Sequence, residues 1–99
     1  MTKHTRQMVA VAAAIGEATF NEIISGCRRR PLPLLRYLIA RELLKSGYSL
    51  SKAGAELNID HVTVMHGMNT LNVIHSCKSY KAELDVERDF LRWIQEIDS

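Results

Sequence analysis

Apolar residues recur at intervals of three and four along most of the chain, interrupted at a few polar, glycine or proline points, and this spacing predicts helices throughout. The pattern is sharpest over residues 49–74. Ser49 is placed to cap a helix carrying Leu50, Ala53, Gly54 and Leu57 on one face, and Asn58 breaks it. Asp60 then caps a second helix in which Val64, Met68, Leu71 and either Ile74 or His75 line one side. The opposite side is polar, with His61, Thr63 and His66 projecting from its first two turns. Two helices joined by so short a turn predict a helix-turn-helix, whose second helix can enter a DNA major groove end first.

The same reading organises the rest of the chain. A first helix runs from Thr5 to Ala14 with Met8, Val11, Ala12 and Ile15 inward, and Gly16 ends it. Thr19 and Glu22 form a capping box that starts a short helix at Phe20, with Phe20, Ile23 and Ile24 toward the core. Residues 25–31 are a loop, since Gly26 and Pro31 bracket three adjacent arginines that repel one another. A third helix begins near Pro31 to Pro33, where a missing proline N–H costs little, and its inward positions are Leu35, Leu38, Ile39, Ala40, Leu43 and Leu44. It ends at Gly47. Arg41 falls nearly opposite Ile39 and Leu43 and is expected to reach solvent. After a connector at Lys78–Lys81, a last helix places Val86, Phe90, Trp93, Ile94 and Ile97 at helical spacing, Phe90 and Trp93 closing the core, with a dimer contact as the alternative. The expectation is an all-α single domain, residues 1–99, built as a compact bundle of about six helices.

The segment DHVTVMHGMNTL resembles the DH-(S/T)-T-V-x-H-A signature of the DNA-binding C-terminal domain of DnaA, the bacterial chromosomal replication initiator. Ala40–Leu44, ARELL, is similar to that family's long-helix ARELT. Ser49, Leu50 and Gly54 match its S-L-x-x-I-G, and LDVERDFLRWIQEI resembles its last amphipathic helix. The resemblance spans nearly the whole chain and implies a Trp-repressor-like helix-turn-helix fold that binds double-stranded DNA in replication initiation or its regulation.

It also implies roles residue by residue. Arg28 matches an arginine placed in the minor groove, with Arg29 and Arg30 as phosphate partners. Arg41 matches a basic position touching phosphate. Leu50 and Ser51 match the start of the first motif helix, against the DNA backbone and a base edge. Asp60 and His61 match residues that read bases in the major groove, and Thr63 and His66 match positions that grip phosphate. Asp60 has a second reading, as a helix cap that needs no DNA. Val62 replaces a threonine of the family and can touch a thymine methyl but not hydrogen-bond. Asn58-Ile59 replaces Gly-Gly-Arg, Pro33-Leu34 replaces an Arg-Gln pair, and the basic loop is shorter. Binding weaker than the family's, or to another sequence, is therefore expected.

Charge sharpens the picture. The formal net charge is only +2, yet residues 28–52 hold seven basic side chains against Glu42, and residues 53–99 hold four basic against eight acidic. A basic middle is the footprint nucleic acid attracts. Cys27 and Cys77 make no disulfide framework, and neither CxxC nor Cys/His ligand spacing occurs, which suits a reducing cytoplasm. His61 and His66 lie about 140° apart on a helix, so no metal site of the i, i+4 kind is expected. No carboxylate pair or activated nucleophile is readable, and Cys27 lacks an acid or base partner in sequence, so an enzyme is not expected. Met8, Met65 and Met68 are expected to serve core or flexible packing rather than a cofactor, and His4 and His75 to sit at the surface or boundary. Gly16 and Glu17 interrupt the N-terminal apolar run before it could span a membrane, and its helical continuation argues against a secretory signal. The GxxxxGK[ST] phosphate loop is missing, so no nucleotide is expected, and the chain reads either as a stand-alone homologue or as a fragment of something longer. The competing expectation is a helical interaction module that keeps this fold, has lost specific DNA binding, and holds a protein partner through Val62, Met65 and the acidic last helix.

Overall fold

The computed structural model describes residues 1–77 and 79–98, the last by its backbone alone. The described residues form six helices and no strand: α1 (Lys3–Ile15), α2 (Phe20–Ile24), α3 (Leu32–Lys45), α4 (Leu50–Leu57), α5 (His61–Ser76) and α6 (Lys81–Asp98). The all-helical expectation holds. Of the expected connector, Lys78 lies outside the described residues and Lys81 already belongs to α6.

Local chemistry sets the helix ends. Thr2 caps α1, its hydroxyl accepting from the Thr5 N–H at 3.2 Å, so this helix begins earlier than the apolar spacing alone predicts. Thr19 and Glu22 form the reciprocal capping box of α2, at 3.1 and 3.0 Å. Ser49 accepts from the Lys52 N–H at 3.1 Å, and Asp60 from the Val62 N–H at 2.9 Å. Between those two caps Asn58 takes the left-handed conformation, φ 59°, and the Ile59 N–H donates back to the Gly54 carbonyl at 2.8 Å. The turn packs tightly on Gly54, where a Cβ would meet the Ile59 carbonyl oxygen at 2.5 Å. Only glycine fits there.

Helix α3 is the hub, packing against each of the other five. It buries Leu32, Leu35, Leu38, Ile39, Ala40 and Leu43, and α1 adds Met8, Val9 and Ala12. Phe90 and Ile94 of α6 close the core from the far side, while Val64, Leu71 and Ile74 seat α5. Among the described residues, no helix is long and apolar enough to cross a membrane.

Two apolar expectations fail. Trp93 is 53% exposed, because it stands about 60° around α6 from Phe90, at the edge of the buried stripe rather than its centre. Phe20 is 36% exposed, since a helix of 5 residues offers little more than one turn and Ile23 takes its fully inward position. Of the two readings of Met65, as core or as flexible packing, the core one is excluded: it is 48% exposed, on the outer face of α5 one turn beyond Val62. Met8 does lie in the core, and Met68 packs against it.

Candidate nucleic-acid interface

The loop between α2 and α3 is held from beneath by Arg36. A cation within the Leu34–Leu38 apolar run has to find acceptors, and the unpaired carbonyls at the end of α2 supply them. The Nε–H of Arg36 donates to the Ile23 carbonyl, and its Nη2 to the carbonyls of Glu22, at 2.9 Å, and of Cys27. Burial draws this guanidinium below its ordinary pKa, yet it is surrounded by carbonyl oxygens that match a cation. In the sequence Arg36 reads only as one cation of the basic block. Its signal was its position, a charge in an otherwise apolar segment.

The three loop arginines are exposed but not equivalent. Arg29 turns back on its own chain, donating to the carbonyls of Gly16 at 3.5 Å and Glu17 at 3.2 Å, with the Glu22 carboxylate at 3.7 Å. Arg28 faces the other way. It lines a cleft of about 460 Å³ whose walls include Tyr37, Ile59, Thr63 and His66, so the basic loop and the first turns of α5 meet across one depression. Tyr37 shapes this cleft. Its ring stands edge-on to His66, with centroids 6.3 Å apart, and lies directly on Gly67. A more apolar groove of about 600 Å³ continues past Arg28 and Arg30 along Leu34, Val73 and Val86.

At the start of α5, Asp60 acts as the cap, and the oxygen that accepts from Val62 also lies 3.1 Å from His61 Nδ1. His61, Val62 and His66 are exposed and Thr63 is half-buried. Ser51 is exposed at the start of α4, whereas Leu50 packs partly against the core.

Arg41 departs from the expectation of a solvent-facing phosphate contact. Its guanidinium is turned to α6, 2.6 Å from Glu87, with only 17% of the side chain accessible. The other Glu87 oxygen lies 2.5 Å from His75 Nε2, so Glu87 ties α3, the end of α5 and α6 together. Burial pushes the Glu87 carboxyl up, but the hydrogen bonds and charges of His75 and Arg41 outweigh it and hold the group below its ordinary value. The helical period placed Arg41 outside the α3 core stripe correctly. It could not show that α6 covers that side.

No group of three His, Cys, Asp or Glu side chains among the described residues is arranged to hold a metal ion. No protein-family model, curated protein or solved structure matches the chain.

Proposed function

We propose that this chain is a sequence-selective duplex DNA-binding domain of the DnaA type, acting in replication initiation or its regulation. In this reading α4 and α5 are the two helices of a helix-turn-helix, with α5 in the major groove and Arg28 and Arg30 on the minor groove and phosphates. The observation that carries the reading is the shared cleft, which joins the basic loop to Thr63 and His66 although the loop and α5 are far apart in sequence. Arg28, Thr63 and His66 then hold one duplex from one side of the protein, leaving Asp60 and His61 at the start of the same helix to read base edges. The DHVTVMH signature and the basic middle of the chain support it from the sequence.

The test is fluorescence anisotropy with two labelled duplexes, one carrying the initiator family's recognition box and one scrambled, across a salt series. Preferential, salt-dependent binding to the box is expected. Replacing His61 with alanine should flatten the preference. Absence of binding to either duplex at low salt discards the reading.

A second reading is favoured by the exposure of Val62, Met65 and Trp93, at 57%, 48% and 53%: a helical module that docks a protein partner through apolar side chains. Recovery of one partner that survives nuclease treatment would support it, whereas retention on heparin with salt-sensitive elution counts against it.

A further inference from the structure

Helix α5 has 16 residues and not one Lys, Arg, Asp or Glu among them. Its buried side is complete, with Val64, Gly67, Leu71 and Ile74 packed inward. The side turned away carries Val62, Met65, His66 and Asn69, all exposed and all within about 100° of one another around the helix axis. Two apolar side chains about half exposed contribute little to folding where they stand. The cations that neutralise phosphate sit on the neighbouring loop instead.

This composition limits which base edges the outer face can match. Guanine offers two acceptors in the major groove and is read most often by the paired donors of arginine or lysine, which α5 lacks. Adenine offers one acceptor and one donor, the pattern a carboxamide complements, and thymine offers a methyl group suited to an apolar side chain. Met65 and Asn69 are four residues apart, about 6 Å along the axis, close to the separation of two base-pair steps.

Resting on the DNA-binding reading above, we infer that Met65 and Asn69 are base-reading residues that extend recognition beyond the first turn of α5 and direct it to A·T pairs. Met65 packs against a thymine C5-methyl, and the Asn69 carboxamide pairs with N7 and N6 of an adenine two base-pair steps away. Val62 continues the same apolar strip toward the helix start.

The experiment is selection of duplexes from a random pool by the full chain and by the Met65→Ala and Asn69→Ala variants, with salt-dependent anisotropy on the enriched sites. Both side chains are exposed, so the variants should keep the fold, which a thermal melt by circular dichroism verifies. Each thymine of the enriched site is then replaced in turn by deoxyuridine, which removes only the methyl group. An A·T-rich site is expected, with one replacement weakening the wild type about fivefold and leaving Met65→Ala unaffected. Asn69→Ala should lose about tenfold of its preference for adenine at one position. An enriched site that is G·C-rich, indifferent to deoxyuridine and unchanged by Asn69→Ala overturns this inference while leaving DNA binding intact. Salt-dependent binding without any sequence enrichment overturns it too. Failure to retain any duplex removes the DNA-binding reading itself, and this inference with it.

Discussion

The guanidinium of Arg36 ends inside the main chain it supports, its Nε–H donating to the Ile23 carbonyl at the last turn of α2. With Glu22 and Cys27 also accepting, one side chain of α3 satisfies carbonyls on both sides of Gly26. That places the arginine loop relative to α3, and hence relative to Tyr37 on the next position and the cleft it shapes.

Replacing Arg36 with methionine keeps the stem and removes the donors, so buried carbonyls lose their partners. A loss of about 2–3 kcal/mol is expected from urea unfolding, with lysine recovering only part because a single ammonium cannot span the same acceptors. Amide hydrogen exchange should speed up over Cys27–Arg30 in the methionine variant before it does elsewhere. A variant as stable as wild type would show that the loop needs no such anchor.

Gly67 is the converse case, a helix-interior glycine that alanine should not improve. In an isolated helix the exchange would gain about 1 kcal/mol. Here the added Cβ would lie 2.7 Å from Tyr37 Cγ, near the stem of that side chain, so the whole ring has to move. Gly67→Ala should therefore destabilise by roughly 1–3 kcal/mol. Displacing Tyr37 also disturbs its edge contact with His66, so under the proposed function duplex affinity should fall together with stability. A raised melting temperature would contradict the packing described.

The Glu87 network predicts a pH dependence of defined sign. Its carboxyl is held below the ordinary value of 4.5 in the folded chain, so folding favours the ionised form. Its contribution is fully present above pH 4.5 and is lost as pH falls through the lower folded-state value. Glu87→Gln should be about 1–3 kcal/mol less stable than wild type at pH 7. The gap should close as the pH is taken well below 4, where the wild-type carboxyl is also neutral. A gap that stays constant with pH would mean that the charge of Glu87 contributes nothing to stability.

What could be read from the sequence and what could not divides along the range of the interactions. Ser49, Asn58 and Asp60 act on their own neighbours, so both ends of α4 and the start of α5 follow from local chemistry, as does the capping box of Thr19 and Glu22. Arg41, His75 and Glu87 sit far apart in the sequence, and each alone reads as a solvated or boundary residue until α6 is laid across α3. Trp93 departs from its expected burial for a related reason, since spacing gives the side of a helix but not how far the neighbouring element extends over it. The candidate site divides the same way. His61, Thr63 and His66 were placed on one stretch of helix by periodicity, whereas the approach of Arg28 to them depends on tertiary packing through Arg36 and Tyr37.

The unequal surroundings of the arginines lead to a test that separates contact from scaffolding. If Arg30 neutralises a phosphate and Arg28 lies in the minor groove, Arg30→Ala should weaken every duplex alike and lower the slope of log K against log salt by about one, while Arg28→Ala should weaken duplexes unequally, both with the melting temperature unchanged. Arg41 pairs with Glu87 instead, so Arg41→Gln should leave the slope alone and lower stability by leaving a largely enclosed carboxylate short of a partner. Arg29 stands between them, tethered to Gly16 and Glu17 carbonyls yet 48% accessible, and its replacement should cost a little of each. Salt titrations and thermal melts on the four variants read both quantities. A reduced salt slope for Arg41→Gln would mean that this side chain leaves Glu87 for phosphate when DNA binds, restoring the role that the family resemblance implies for it.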